Sequence, residues 1–316
     1  MDSCAPARNT VGMTRKNLAL VLGGGGAAGN AWMIGIVAGL ADAGFDLTEI
    51  ADLVIGTSAG ANAAAQVLSG IPPAELLAAT LTPPPVPPAG QPRPQAAGPR
   101  MEAVFERMRT ISAAAATQTE LQRAMAAYGI ESDPAFGPEI REQRRALVAR
   151  RLPSPDWPER PLLIVAVNAD TGELATFDRN SGVALVDAAT AAISLPGAGP
   201  THQINGTRYI SGGVRSVDNA DLAAGYRNVI VLSPFSGRTG PLPPGQFEGL
   251  HRPPGADLTS EVERLRNAGS RVEVITPDPD SRAAMGTNQM DLATRAPSAR
   301  AGFIQGKREA TCLSGL

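Results

Sequence analysis

The chain alternates short apolar runs with glycine-rich turns and longer helical patterns. Its first run, Leu18–Leu22, contains no polar residue and ends at a glycine, which is typical of a strand buried on both faces. The pattern then predicts a helix over Asn30–Ala43, a strand over Leu53–Ile55 and a helix over Ala59–Ser69. Two successive strand–glycine–helix units favour a mostly parallel sheet with helices on both faces.

The same alternation continues through the second half of the chain. Apolar runs predict strands at Leu162–Val167, Val229–Leu232 and Val272–Ile275, and helical spacing predicts helices at Val186–Ile193 and Leu258–Asn267. Residues beyond 280 also have helical patterning. The predicted fold class is therefore α/β, as a three-layer α/β/α sandwich around a mostly parallel central sheet.

One hairpin interrupts this alternation. The pair Asn205-Gly206 between two short runs of strand character predicts a two-residue turn. Such a turn places His202 opposite Tyr209 and Pro200 opposite Ser211. His202 and Ser211 would then point to the same side of the ladder.

An insertion is predicted at about 82–151. Its first part, Thr82–Arg100, holds many of the 28 prolines and cannot be a helix or a central strand. This part is interpreted either as a mobile polyproline-like segment or as part of a lid. Residues 101–128 and 138–151 have helical patterning with arginine-rich faces, which are either a helical cap or merely solvated surfaces.

The stretch Asn17–Leu40 has no charged residue and could be mistaken for a membrane span. Four consecutive glycines, Gly23–Gly26, would break such a helix, and we predict a strand, a loop and a helix instead. Residues 1–16 are predicted to be a disordered tail before a single domain at 17–310. They lack the arrangement of a signal peptide, so we expect a cytoplasmic protein, with secretion as the open alternative.

Composition narrows the choice of partners and cofactors. The net charge of −2 provides no basic surface for nucleic acid. Cys4 and Cys312 lie near opposite ends of the chain, so neither a structural disulfide nor a metal site is expected. A Ser-His-Asp triad would have to use His202 or His251, and His251 lies in a loop rich in proline and glycine, where we assign it no role.

The strongest motif is Gly56-Thr57-Ser58-Ala59-Gly60, between a predicted strand and an alanine-rich helix. Gly-x-Ser-x-Gly in this position is the nucleophile elbow of acyl hydrolases, and its small residues let the backbone pass through a strained turn. Ser58 is therefore the predicted nucleophile. The alternative is a serine that only caps the following helix.

A glycine loop at Gly23–Gly29 joins the first strand to the first helix. Gly24, Gly26 and Gly29 fit the dinucleotide-binding fingerprint, which is a weak signal on its own. An acyl hydrolase would use the same loop differently. The backbone N–H groups of Gly24, Gly25 and Gly26 would point at the oxyanion of a tetrahedral intermediate.

A third motif, Ser211-Gly212-Gly213, follows the predicted hairpin. The three motifs in this order resemble the patatin-like phospholipase family, whose signature is a glycine-rich loop, Gly-x-Ser-x-Gly and a distant Asp-Gly-Gly or Asp-Gly-Ala. The resemblance covers most of residues 17–310, including Ala192–Pro196 and Asn219–Asp221.

The resemblance implies a patatin-like fold and a serine acyl hydrolase of the phospholipase A type that uses a Ser-Asp dyad without histidine. It implies no cofactor. The substrate would be a lipid or other acyl ester, with transient contact to a membrane surface. By the same resemblance, Ser58 is the nucleophile, the glycine loop forms the oxyanion hole, and Ser211 occupies the aspartate position.

The chain departs from the family at two positions. Ala28 stands where the family usually has arginine or lysine, and Ser211 stands in place of the dyad aspartate. A serine hydroxyl is far too weak a base near neutral pH to accept the proton of the nucleophile. Activity is therefore expected to be reduced or absent.

Several alternatives stay open on the sequence alone. His202, Asp218 or Asp221 could replace the missing base, although Asp221 is better explained as the start of a helix. The rival functions are an inactive patatin-like protein that binds a lipid or a partner and, less favoured, a dinucleotide-dependent enzyme.

Overall fold

The computed structural model describes residues 17–82, 101–236 and 252–313. The predicted tail at 1–16 and nearly all of the proline-rich segment lie outside these residues. A central sheet of eight strands dominates the described part of the chain. The strands are β1 Leu18–Leu22, β2 Leu53–Thr57, β3 Leu162–Asn168, β4 Leu174–Phe177, β5 His202–Ile204, β6 Thr207–Ser211, β7 Asn228–Leu232 and β8 Arg271–Ile275.

The sheet is mostly parallel, as predicted. Hydrogen-bonded neighbours run in the order β5–β6–β3–β2–β1–β7–β8, and β4 also pairs with β3. The pairs β3–β2, β2–β1, β1–β7 and β7–β8 are parallel, whereas β4, β5 and β6 join by antiparallel pairing. The central strands β1 and β7 are buried along their whole length, which is why their sequences show apolar runs rather than alternation.

Helices cover both faces of the sheet. The described α-helices are α1 Gly26–Asp42, α2 Leu47–Ile50, α3 Ala59–Val67, α4 Pro73–Leu81, α5 Met101–Ala114, α6 Gln118–Ser132, α7 Pro138–Ala149, α8 Leu185–Ala192, α9 Leu258–Asn267, α10 Pro279–Met285 and α11 Arg295–Leu313. None of them is both long and apolar enough to cross a membrane. The mostly parallel sheet with helices on both faces confirms the predicted three-layer α/β/α architecture.

The predicted hairpin has the predicted register. Asn205 and Gly206 both have positive φ values, 48° and 84°, as a two-residue turn of the mirror-image type requires. His202 lies opposite Tyr209 and Ile204 opposite Thr207. Turn chemistry alone therefore determined which residues of β6 face β5.

Two helices of the predicted insertion pack on the sheet near the end of β6. Apolar side chains of α5 and α6, including Met108 and Met125, form one buried cluster with Ile210 and Val214. Their apolar faces are thus partly core, and they cover the segment that follows β6. Solvated arginine-rich faces and a covering role for these helices are therefore compatible, because their apolar faces pack on the sheet.

Helices α1 and α11 approach each other through pairs of glycines. A Cβ added to Gly35 would lie 2.2 Å from the backbone oxygen of Ala299, and one added to Gly39 would lie 2.2 Å from that of Phe303. On the facing helix, a Cβ at Gly306 would lie 2.4 Å from the oxygen of Ile36. Each obstacle is a backbone atom of the opposite helix, so neither helix can accept a side chain without moving apart from the other.

We predict that Gly35→Ala and Gly306→Ala each lower the free energy of unfolding by about 1–3 kcal/mol through overpacking. Urea denaturation of each variant measures this. Helix propensity alone predicts the opposite sign, a gain of about 1 kcal/mol, because alanine is the better helix former. A stabilised variant would therefore contradict the close approach of the two helices.

Candidate active site

Ser58 lies at a sharp turn between β2 and α3. Its backbone has φ 54° and ψ −118°, a conformation that non-glycine residues rarely adopt. Small neighbours make the turn possible. A Cβ at Gly56 would lie 2.5 Å from the Cα of Ala61, and one at Gly60 would lie 1.9 Å from the backbone oxygen of Leu22.

The side chain of Ser58 does not cap the helix that follows it. It makes no capping hydrogen bond to α3, although it occupies the N-cap position, so the capping alternative finds no support in the geometry. Ser58 is partly exposed, whereas its neighbours Thr57 and Ala59 are buried. The hydroxyl therefore stands at the start of a helix, where backbone N–H groups favour developing negative charge.

The pairing of β3 places Ser211 beside this turn. Val165 of β3 pairs with both β2 and β4, so these two strands occupy opposite edges of β3. Ala166 pairs with both β4 and β6, so β6 lies on the edge that β2 occupies. Thr57 is the partner of Val165, and Ser211 is the partner of Ala166. Ser211 therefore follows Thr57 along the same edge, next to Ser58.

Ser211 is buried, with an exposed fraction of 2%, and its hydrogen bonds are local. Its Oγ accepts a hydrogen bond from the N–H of Gly213 at 3.2 Å, and its own N–H donates to the carbonyl of Ser194 at 2.8 Å. A Cβ at Gly212 would lie 2.6 Å from the backbone oxygen of Val165, so the turn after position 211 needs glycine. These contacts hold the backbone at position 211 in place, and the Gly213 N–H points at the side chain there.

The glycine loop lies on the other side of Ser58. A Cβ at Gly24 would be 3.7 Å from the Cβ of Ser58, which puts the loop in contact with the nucleophile position. The Gly24 N–H, however, donates to the carbonyl of Val217 at 2.8 Å. In the described part of the chain, the N–H groups of Gly25 and Gly26 have no such partner, so they are the two available donors of the three that the sequence suggested.

Protein atoms fill most of the space that the loop glycines leave. A Cβ at Gly25 or Gly29 would lie 2.7 Å or 2.9 Å from the Cβ of Pro234, and one at Gly26 would lie 2.8 Å from the carbonyl oxygen of Gln289. These close approaches explain the glycines without a dinucleotide. The glycine pattern alone is therefore no support for a dinucleotide-binding site.

Asn219 ties the serine elbow to the turn after β6. Its buried Nδ2 donates to the hydroxyl oxygen of Thr57 at 3.0 Å and to the carbonyl of Gly212 at 3.3 Å. The Thr57 hydroxyl in turn donates to the carbonyl of Asp218 at 3.2 Å. Asn219 has a positive φ of 54°, a conformation that asparagine adopts more readily than most residues.

Arg252 holds the same turn from the opposite side. Its guanidinium donates to the carbonyls of Gly213 at 2.6 Å, Val214 at 2.7 Å and Arg215 at 3.2 Å. Burial lowers the pKa of Arg252 to about 10, against the charges of Asp218 and Glu261, which raise it. Asn219 and Arg252 were not expected as site residues from the sequence, because a lone asparagine and a lone arginine give no motif.

Two of the residues that could replace the missing base, His202 and Asp221, are paired with other charged side chains. The Nε2 of His202 donates a hydrogen bond to the ionised carboxylate of Asp187 at 3.0 Å, and burial lowers the pKa of His202. Asp221 pairs with Arg215 in the 3₁₀ turn Ala220–Ala223, in agreement with the expectation that it starts a helix. Among the described residues, no group of His, Cys, Asp and Glu side chains could hold a metal ion, and Cys312 is exposed and unbridged.

Asp218 is the carboxyl group closest to the glycine loop in the described contacts. A Cβ at Gly23 would lie 2.0 Å from its Oδ1, and this oxygen is buried without a hydrogen-bond partner. Burial raises the pKa of Asp218 to about 7, and the hydrogen bond with Ser233 opposes that rise. The folded protein therefore retains this proton at pH values where the unfolded chain has lost it.

This proton makes stability depend on pH. Since the pKa rises from 3.8 to about 7 on folding, the free energy of unfolding should fall as pH increases from about 4 to 7, by up to about 4 kcal/mol. Asp218→Asn should flatten this decline and be more stable than the parent near pH 8. Urea denaturation at about pH 5 and about pH 8 measures it. The exposed change Asp156→Asn is the control, and an unchanged slope in Asp218→Asn would contradict the assignment.

Comparison with known proteins identifies the family of this chain. Residues 20–224 match the family model described as patatin-like phospholipase. No curated protein matches the chain. Among solved structures, VipD from Legionella pneumophila is 12% identical with a TM-score of 0.41, and 94% of this chain aligns with 67% of VipD. The type III effector protein ExoU is 16% identical with a TM-score of 0.34, and 92% of this chain aligns with 54% of ExoU. Since the family match spans more than half of its length, the chain belongs to the patatin-like phospholipase family.

Proposed function

We propose that this chain is built as a lipid acyl hydrolase with Ser58 as its nucleophile. The observation that carries the proposal is the position of Ser58, on a strained turn between the glycine loop and position 211. Membership of the patatin-like phospholipase family supports a lipid ester as the substrate. The acyl chemistry itself follows from the serine elbow.

The reaction would proceed in two acyl-transfer steps. The Oγ of Ser58 attacks the ester carbonyl carbon, and its proton passes to a water molecule, which later returns a proton to the departing alkoxide. The N–H groups of Gly25, Gly26 and Ala59 would stabilise the oxyanion. Collapse of this intermediate releases the alcohol and leaves an acyl ester on Ser58. Water then attacks that ester, releases the fatty acid and restores the hydroxyl.

This chain has no carboxylate at the position where the family has its general base. The hydroxyl of Ser211 cannot take the proton from Ser58 at neutral pH. The other elements of the site remain, and an oxyanion hole alone still accelerates acyl transfer over water. We therefore propose slow turnover in this form of the protein.

A second candidate function is lipid binding without turnover. Ser211 supports this candidate too. It is buried, accepts a hydrogen bond from the Gly213 N–H and is not an ionisable group, so it provides no base. Labelling with a fluorophosphonate probe separates the two candidates when Ser58→Ala is the control. Modification of the parent above the Ser58→Ala level, even if slow, supports turnover, and labelling equal to that of Ser58→Ala supports binding alone.

The surface beside the glycine loop supports transient contact with a membrane. Met290 and Leu292 are exposed by 59% and 50%, and the sulfur of Met290 would lie 3.1 Å from a Cβ at Gly26. Apolar side chains at this place could enter the lipid surface while the acyl group reaches Ser58. A basic side chain, Arg295, anchors the same segment by donating to the side-chain oxygen of Asn30 at 2.9 Å.

The sharpest test restores a carboxylate at position 211. Ser211→Asp should raise hydrolysis of short p-nitrophenyl esters by about 10²–10⁴, the usual contribution of a general base. The Gly213 N–H already points at this position and would hold the carboxylate in place. Ser211→Asn is the matched control, because it has the same size and no base. A folded Ser211→Asp protein that is no faster than Ser211→Asn would overturn the assignment of the base position.

Ser58 can be tested for both activity and strain. Placed in the Ser211→Asp background, Ser58→Ala and Ser58→Gly should both abolish ester hydrolysis. Ser58→Gly should also raise the free energy of unfolding by about 1–3 kcal/mol relative to Ser58→Ala, since only glycine relieves the positive φ. Retained turnover in either variant would exclude Ser58 as the nucleophile. Equal stability of the two would show that the turn is not strained.

A further inference from the structure

A cavity of about 170 Å³ lies between α7, α8 and the hairpin strand β5, apart from the serine site. Residues from all three elements line it. Those that decide its chemistry are Arg141, Arg144, Arg145, Thr190, His202 and Gln203. Three arginines thus line a space that the proposed hydrolase reaction does not use.

Two of these guanidinium groups already have carboxylate partners. Arg145 donates two hydrogen bonds to Asp187, at 2.7 Å and 3.0 Å. Arg141 lies 3.3 Å from Asp133 and donates to the carbonyl of Thr201 at 2.8 Å. Their charges are therefore largely neutralised within the protein.

Arg144 differs from both. Its one hydrogen bond among the described residues goes from Nη2 to the carbonyl of Ile193 at 3.3 Å. Its Nε is buried and has no hydrogen-bond partner. Burial lowers the pKa of Arg144, and the charge of Arg151 lowers it further, without an acidic group to oppose them. Arg144 is a partly buried cation with no acidic group beside it among the described residues, which is costly.

The guanidinium of Arg144 is also held in position. A Cβ at Gly199 would lie 2.4 Å from its Nη1, so the group packs directly against the backbone there. A planar fork of N–H donors in a fixed orientation suits an oxyanion that can accept two hydrogen bonds. The carboxylate of Glu142 also lines the cavity, but its residue is exposed and faces water.

We propose that this cavity binds a phosphate group, with Arg144 as the principal ligand. The group could belong to inorganic phosphate or to the phosphomonoester of a lipid headgroup, because both present the same oxygens. Arg141 and Arg145, whose charges are balanced by carboxylates, contribute hydrogen-bonding groups to the wall together with Thr190 and Gln203. The site is independent of Ser58 and would operate whether or not the protein turns over esters.

Phosphate binding can be measured directly by isothermal titration of the full chain with potassium phosphate at constant ionic strength. Arg144→Gln removes the unpaired cation, and Arg150→Gln removes the same charge from an exposed position at the end of α7. We expect saturable binding to the parent and to Arg150→Gln, and binding at least about tenfold weaker to Arg144→Gln, because one charge-assisted pair is lost. Equal binding to Arg144→Gln and Arg150→Gln would overturn the proposal.

A second variant keeps the test valid if Arg144→Gln fails to fold. Gln203 is exposed at the cavity wall, so Gln203→Glu changes the charge with almost no change in shape. It should weaken phosphate binding as well. Undiminished binding to Gln203→Glu would contradict a site in this cavity.

Vesicles distinguish the two sources of phosphate. We would compare sedimentation with phosphatidylcholine vesicles with and without phosphatidic acid, which has a phosphomonoester headgroup. If phosphatidic acid recruits the parent and Arg150→Gln but not Arg144→Gln, the ligand is a lipid headgroup. If only inorganic phosphate responds to Arg144, the ligand is soluble phosphate. If neither ligand depends on Arg144, the cavity is not a phosphate site.

Discussion

The geometry of the serine site depends on how closely the start of α3 approaches the end of β1. Gly60 has no side chain, and any Cβ there would lie 1.9 Å from the carbonyl oxygen of Leu22. This contact lets α3 begin directly against β1. As a result, the elbow at Ser58 and the glycine loop after Leu22 meet at one edge of the sheet. A larger residue at position 60 would move Ser58 away from the glycine loop, whatever other residues were kept.

The turn at position 211 is held by Asn219 and Arg252 in addition to the hydrogen bond between the Gly213 N–H and the Ser211 side chain. Asn219 bonds it to β2, and Arg252 binds three of its carbonyl groups. Glu261 accepts the N–H of Ala220 at 2.8 Å and stays buried beside them. Because these contacts come from residues other than 211, they do not depend on whether a serine or an aspartate stands there.

Much of the fold could be predicted because apolar runs, helical spacing and turn residues along the chain determine its strands, helices and hairpin. The bounds of β1 and α9 agree with the apolar and amphipathic patterns, and Asn205-Gly206 determined the hairpin register. The short strand β4, Leu174–Phe177, was missed because its exposed positions show no apolar run. Helix α1 begins four residues earlier than predicted, since glycine and alanine at 26–29 look like a loop until the helix packs.

The site was predictable only in part, for a similar reason. Ser58 and the glycine loop form motifs that are continuous in sequence, so their roles could be inferred before their positions were known. The engagement of Gly24 by Val217, the clamp made by Arg252 and the cavity around Arg144 join residues that are distant along the chain. No spacing rule predicts such contacts, since they depend on how the layers pack.

The glycine-mediated contact of α1 and α11 has a consequence for how the polypeptide is made. Helix α1 is buried along nearly its whole length, yet the helix that covers much of it is synthesised more than two hundred and fifty residues later. During translation, the face of α1 that α11 later buries stays uncovered, so it can aggregate or bind chaperones until α11 has been made. The family match ends at residue 224, before α11 begins. A fragment trimmed to that match would keep the surface permanently open.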